Sequence, residues 1–362
     1  VLFAGCVIDN FGFKEALVGL LGLYLLLCAY ASIGLFVSSL TSYQVVAGIG
    51  TLVILAALNY VNQVGQSYDF VRDITYWLCI SGRSGEMIAG LICSEDIIYF
   101  IVVSAMFLSL AILRLNSTRQ YAPKGVMWGK YLGVIAGTCL IGYITSRPMM
   151  MCFYDSTETK RMTLTPVSQE IMNSLEDGMT ITTYVNYLDR DAYYGWPEMV
   201  NDDKRRFKQY LRFKPDIKMK YVYYYDTVTT NPWLMSRYPG KTIDEIAKEE
   251  SEKRDWDIKK MLTPKQIKKI IDLEPEGNVF VRLVERKNGQ KAFLRLFNDM
   301  ETHPSEAEIG VMFKRFVMDM PKVGFLTGHG ERNVNSAGER FYYTFARSIY
   351  FRQSLINQGF DA

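Results

Sequence analysis

The residues able to do chemistry are few and unevenly placed. The chain has two histidines, His303 and His329, and six cysteines, Cys6, Cys28, Cys79, Cys93, Cys139 and Cys152. His329 stands in Thr327-Gly328-His329-Gly330-Glu331, directly after the short apolar run Lys322–Leu326. An imidazole and a carboxylate two residues apart can exchange a proton, and flanking glycines let backbone approach a ligand. Gly328, His329, Gly330 and Glu331 are therefore a candidate ligand or partner loop; a tight turn satisfied locally is the plainer alternative. No nucleophile accompanies them. The chain has no GxSxG, no HExxH, and no cysteine beyond Cys152. No catalytic residue, cofactor or metal site is assigned, and the chain is expected not to be an enzyme. Cys79 and Cys93 flank one loop and could pair in an oxidising space; two unlinked thiols are the alternative.

The elements that must position these residues fall into two populations. Residues Val1–Met150 carry eight Lys/Arg and seven Asp/Glu, whereas the rest of the 362-residue chain carries 33 and 31. A charge-poor half followed by a charge-rich half signals a membrane region joined to an aqueous domain. The joint is Arg147–Pro166. The net charge of +3 excludes a dedicated nucleic-acid binder. The Lys runs near Lys259 and Lys268 read as solvated helix faces. The chain starts in an apolar context and stops just after a helical pattern, as expected of an internal piece.

Ala16–Leu40 and Val45–Val64 are apolar runs long enough to span, joined by Thr41-Ser42-Tyr43-Gln44. Gln66–Asp96 has apolar patches too short to span, broken by charges and by Gly82 and Gly85, which suits a re-entrant segment. Ile97–Leu113 and Val126–Thr145 are a third and fourth span. Arg114–Lys130 holds four positive charges and no negative one, and Gln66–Asp96 two positive and five negative. The positive-inside rule puts the first loop in the cytoplasm and the second outside, so everything after Arg147 is expected outside. No span contains a central ionisable pair, which argues against ion-coupled carriage. There is no GxxxxGK[ST], so any ATP is hydrolysed by another polypeptide.

The stretch Ala31–Ala47, ASIGLFVSSLTSYQVVA, resembles type-2 ABC transporter permeases, most of all the gliding-motility-associated subfamily. The resemblance covers about residues 1–115. It implies that the SSLT turn is a cytoplasmic link between the fourth and fifth of six spans. It also implies a re-entrant segment outside, between the fifth and sixth. Ser38, Ser39 and Thr41 read as helix-end caps, and Asp96 as an interfacial cap on its span.

Beyond the joint, helices are expected at 165–175, 201–213, 241–253, 263–272, 304–320 and 338–358. Strands are expected at 180–188, 218–226, 278–285, 290–297 and 322–326, with Lys287-Asn288-Gly289 as a hairpin turn. Helices alternating with strands predict an α/β domain with a mostly parallel sheet, binding ligands beyond its strand ends. The aromatic run Tyr221–Tyr225 reads as core.

Asp155–Thr165, DSTETKRMTLT, resembles the DLTxDKRYTLS motif of the gliding-motility ABC auxiliary proteins, whose periplasmic region is an intraflagellar-transport-like α/β domain. Lys322–Glu331 resembles that family's KVxFLxGHGE segment. Asp155, Lys160, Arg161 and Thr163 match and form a candidate docking motif; Ser156, Thr159 and Met162 depart from it. Together the two resemblances imply a permease half at 1–115, a cytoplasmic loop and added span at 116–146, and a periplasmic auxiliary domain at 147–362. The implied function is an ATP-driven export subunit in the cell inner membrane. Its implied partners are a separate ABC ATPase, a permease dimer partner, the lipid bilayer and a periplasmic protein or cell-envelope ligand. The alternatives are a membrane anchor for an extracytoplasmic gliding or envelope complex, or an envelope enzyme using the Gly328–Glu331 loop.

Overall fold

A computed structural model describes residues 11–80, 82–119, 123–147, 150–229, 231–254, 256–326, 328–338 and 340–362. Cys6 and Thr327 lie outside them. The chain divides into two compact units, Val1–Thr165 and Pro166–Ala362. The boundary falls at the far end of the joint, so most of Arg147–Pro166 folds with the first unit rather than opening the second.

Four helices of the first unit are long and apolar enough to cross a membrane. They are α1 (Phe13–Leu40), α2 (Gln44–Tyr60, prolonged by one turn to Gln63), α5 (Ser94–Arg119) and α6 (Lys124–Thr145). Length and uniform apolarity make them: with no polar face, such helices suit lipid or close packing rather than water. Between α2 and α5 come α3 (Asp69–Leu78), α4 (Arg83–Ile88) and the strand β1 (Leu91–Cys93). Gly82 takes φ +88°, a left-handed value that lets the chain reverse between the two short helices.

This short helix pair packs against all four long helices. A Cβ on Gly22 of α1 would lie 2.7 Å from Met87 Cβ, and one on Gly19 3.4 Å from Ile88 Cα. Met87 thus sits about 14 Å along α1 from Phe13, at about 1.5 Å per residue. Ile80 N donates to Leu58 O of α2 at 3.2 Å. Tyr99 Oη of α5 donates to Leu78 O at 2.9 Å. On α6 a Cβ at Gly142 would lie 1.9 Å from Trp77 Cζ2. Small residues let membrane-length helices approach closely, and here they admit the short helix pair. Gly142→Val is accordingly expected to destabilise the first unit by about 1–3 kcal/mol through overpacking. Thermal unfolding in detergent measures this, and Trp77→Ala in the same chain should recover much of the loss.

The start of α1, the end of α2, the α3–α4 pair, the start of α5 and the end of α6 all meet at one end of the unit. There β2 (Phe153–Asp155) pairs antiparallel with β1, Leu91 opposite Asp155. Arg119 and Lys124 mark the other end. Ser39 bonds back to Phe36 O at 2.6 Å and Thr41 Oγ1 accepts from Tyr43 N at 3.2 Å, so the turn before α2 is closed locally.

The second unit opens with α7 (Pro166–Ser174), where proline fixes the first turn. Its sheet contains β3 (Met179–Asn186), β4 (Lys218–Tyr224), β5 (Val281–Arg286) and β6 (Lys291–Arg295), in the order β4-β3-β5-β6. Between β3 and β4 run α8 (Val200–Arg206) and α9 (Lys208–Phe213), two short helices where one was expected. Between β4 and β5 run α10 (Pro232–Arg237), α11 (Ile243–Lys253) and α12 (Pro264–Ile270). After β6 come α13 (Glu306–Lys314) and α14 (Tyr343–Arg347).

Only β3–β4 is parallel; β3–β5 and β5–β6 are antiparallel, so the sheet is mixed rather than mostly parallel. β5 enters beside β3 in the antiparallel sense, and Lys322–Leu326 does not extend the parallel side. It forms one isolated bridge, Lys322 with Asp361, and adds no strand to the sheet. Helix is likewise confined to Tyr343–Arg347 within the expected 338–358. The hairpin around Gly289, at φ +90°, is as the sequence predicts. One sheet face carries Tyr184, Tyr224, Val281 and Leu283 against Ile267 of α12. The other carries Thr183 in register with Tyr221 on β4 and Arg282 on β5, facing α8.

Candidate functional site

The structure closes the Asp155 motif around a buried carboxylate and leaves the His329 loop as an exposed turn. The Asp155 carboxylate is buried and fully used. One oxygen accepts from Thr157 N (2.9 Å) and Oγ1 (2.6 Å), the other from Met162 N (3.0 Å) and Thr163 Oγ1 (3.2 Å). Lys160 Nζ donates to Asp155 O at 2.5 Å from a left-handed backbone, φ +55°. Arg161 ion-pairs with Glu15 at the start of α1. Burial pushes the Asp155 acid up, but the hydrogen bonds from Thr157, Met162 and Thr163 outweigh it and hold it below the ordinary carboxylate value. Asp155, Lys160, Arg161 and Thr163 therefore close one turn against the first unit. Asp155→Ala strands several donors at once and is expected to cost about 2–3 kcal/mol locally. Limited proteolysis between residues 156 and 165 reads the effect as faster cleavage.

Gly328, His329, Gly330 and Glu331 form an exposed turn. The His329 side chain is 91 % exposed and lies 3.6 Å from Glu331, whose carboxylate also accepts from His329 N at 2.5 Å. Gly328 and Gly330 take left-handed φ values of +131° and +87°. Among the described residues no nucleophile or third acid–base group joins the pair. The loop follows no strand, so it does not lie at a sheet end.

Two polar constellations lay outside the reach of sequence reading. The first is in the membrane unit. Arg83, 8 % exposed, bonds Asp96 at 3.0 Å and Glu95 at 3.4 Å, and the Asp96 side chain is 2 % exposed. The guanidinium also donates to Trp77 O (3.2 Å) and Cys79 O (3.3 Å) and lies 4.1 Å from the Tyr99 ring centre. Asp96 is thus half of a buried ion pair at the start of α5 rather than a simple cap. Glu86, Cys93 and Asp96 bring ligand atoms within 4.8 Å of one another. Arg83 supplies the positive charge there, and Cys93 Sγ contacts Glu86 at 3.6 Å, so no metal is assigned. Cys79 and Cys93 are free thiols.

The second is the sheet end of the aqueous unit. Asn186, buried at the end of β3, donates to Asp226 O (3.0 Å) and Asn278 O (2.8 Å) and accepts from Leu188 N (3.1 Å) and Asp226 N (3.2 Å). Asp189 accepts from Phe280 N at 2.7 Å. One amide and one carboxylate thus pin the loop after β3 to the segments following β4 and preceding β5. That fixed loop borders two cavities. One of about 240 Å³ is lined by Val279, Phe280, Arg295, Phe297 and Tyr350. The other, about 290 Å³, is lined by Tyr187, Tyr193, Trp196, Arg237, Glu250 and Arg254. Both share Asp189 and Arg190. They lie beyond the carboxyl end of the parallel β3–β4 pair, where open α/β sheets bind ligands. The cavities border β3, whereas the loop singled out in the sequence follows 322–326, which is not a strand of the sheet.

His303, the other histidine, sits edge-on to Tyr194 at 4.5 Å, and neither ring nitrogen has a hydrogen-bond partner among the described residues. Burial, with repulsion from Arg282 and Arg206, pushes it from 6.5 down to about 4. It is neutral in the fold, while the unfolded chain takes up a proton below about 6.5. Stability is therefore expected to fall by up to about 3 kcal/mol as pH drops from 6.5 to 4. Thermal unfolding across that range checks this, and His303→Gln should flatten the slope.

The chain matches no protein-family model, no curated protein and no solved structure.

Proposed function

We propose that this chain is a membrane-embedded subunit of an ATP-driven export system, a permease half joined to an extracytoplasmic domain. The observation that carries the reading is the short helix pair α3–α4 seated against all four membrane-length helices. A re-entrant segment at this place, between the second and third described spans, is what the GLFVSSLTSYQVVA resemblance implies. The sequence holds no phosphate-binding motif, so in this reading ATP is hydrolysed by a separate ATPase subunit, and the permease works with a dimer partner. The second unit is then the part that meets a periplasmic protein or envelope ligand, and the membrane is the cell inner membrane. A gliding-motility role follows from the resemblance alone.

The test is purification from native membranes in mild detergent, followed by identification of the bound polypeptides. A stoichiometric nucleotide-binding subunit whose ATPase activity depends on this chain is the expected result. A stable complex lacking any such subunit contradicts it. The anchor reading is favoured by a different observation, the fixed joint formed by β1–β2 and Arg161–Glu15, which suits a tether. It expects function to survive inactivation of the ATPase.

A further inference from the structure

We propose that the 290 Å³ cavity beyond β3 is a binding site for a small organic oxyanion, a carboxylate or phosphate carried on a flat or apolar body. Its volume is at the small end of the roughly 300–1,000 Å³ range of ligand clefts. The inference stands apart from the transport reading, because it rests only on the walls of this cavity.

The charges in those walls are unequally committed. Arg190 donates to Asp191 through Nε (3.2 Å) and Nη2 (3.1 Å). Asp189 holds the Phe280 amide at 2.7 Å. Glu250 is bonded by Tyr238 and lies 3.3 Å from Lys253, and those contacts outweigh its burial and hold its acid below the ordinary value. Arg237 and Arg254 make no ion pair or side-chain hydrogen bond among the described residues. Two solvent-exposed guanidiniums therefore border the cavity, beside the Asp189 and Glu250 carboxylates, which stay charged and are held by Phe280 N and by Tyr238 and Lys253.

Arg254 is also held in place. Its guanidinium carbon lies 4.9 Å from the Trp196 ring centre and 5.6 Å from that of Tyr187. A guanidinium stacked on aromatic faces keeps its N–H edge free, and that fork matches carboxylate and phosphate oxygens. Tyr193, half exposed, lies 5.3 Å from Trp196 at 74° and 5.9 Å from Tyr194, and adds an aromatic wall to the cavity for the body of a ligand. Cation and aromatic wall point to the same ligand class.

The experiment uses the full chain in phosphatidylcholine nanodiscs, titrated calorimetrically with phenyl phosphate, benzoate, inorganic phosphate and uncharged phenol. Phenyl phosphate or benzoate should bind at one site and phenol should not. Arg237→Gln and Arg254→Gln should each weaken binding about tenfold, the scale of one charge-assisted hydrogen bond. Tyr193→Ala should weaken phenyl phosphate but not inorganic phosphate. Lys291→Gln, on the exposed end of β6, should change nothing. A second arm adds phosphatidylglycerol to the discs. Competition there identifies a lipid headgroup as the source of the anion, and unchanged affinity identifies a soluble one. Equal binding by the Arg237→Gln/Arg254→Gln double variant, with its unfolding midpoint unchanged, overturns the proposal. So does failure of every anionic probe to bind the folded chain.

Discussion

Asp203→Ala is expected to lower the stability of the second unit by about 3–5 kcal/mol, the scale of breaking a buried ion pair from one side. Arg282 is fully buried and Asp203 is 1 % exposed; its Nη2 bonds the Asp203 carboxylate, which also accepts from Tyr221 Oη at 2.8 Å. Nε and Nη1 of Arg282 have no partner among the described residues. Removing the carboxylate strands a whole positive charge in the middle of a three-strand ladder, Tyr221–Thr183–Arg282. The pair itself is a different matter. Two charges taken from water regain little, so Asp203→Leu with Arg282→Met should lose far less than Asp203→Ala alone. Hydrogen exchange at residues 179–186 and 281–286 reads both changes locally. Equal protection in Asp203→Ala and the parent chain would falsify the assignment.

Asp96→Ala should have an effect of the same size in the first unit, again about 3–5 kcal/mol. Here the consequence is positional as well as energetic. Arg83 ties the carbonyls of Trp77 and Cys79 to the start of α5 through Asp96. Without Asp96 the turn between α3 and α4 loses its anchor and the buried Cys79 thiol becomes reachable. Maleimide labelling of Cys79 should accelerate in Asp96→Ala, and it should stay slow in Asp96→Glu if the longer acid still reaches Arg83. Unchanged labelling of Asp96→Ala means that the ion pair does not hold the re-entrant turn.

Much of this was visible in the residue order wherever a local rule decides the outcome. Apolar length set the four long helices to within a few residues. Charges and glycines interrupting Gln66–Asp96 marked a stretch of short helices rather than a span. The helix expected at 241–253 forms as α11, opened by a Thr242 capping box, and Asn288-Gly289 turns the hairpin. Long-range decisions were not visible. Lys322–Leu326 has the composition of a strand, but a strand exists only where an edge receives it, and here the edge offers one bridge. The Asp203–Arg282 bond joins positions 79 residues apart, and no periodicity announces such a pair. The parallel β3–β4 pair, whose end borders two cavities, is identifiable only from its register. The joint itself looked like the start of a domain. Its carboxylate turn, strand pairing and Arg161–Glu15 contact instead bind it to the membrane unit.

The loop charges predict that the end carrying α3, α4 and the joint faces outward, with the second unit on that same side of the membrane. Single cysteines at Lys124 and Lys287, in a cysteine-free chain, test this with an impermeant maleimide on intact cells. Lys124 begins α6 at the end opposite the re-entrant pair, and Lys287 lies in the exposed hairpin turn of the second unit. Labelling of Lys287→Cys on intact cells, with Lys124→Cys labelled only after the membrane is opened, is the predicted result. Labelling of Lys124→Cys on intact cells with Lys287→Cys protected would invert the arrangement and contradict the account.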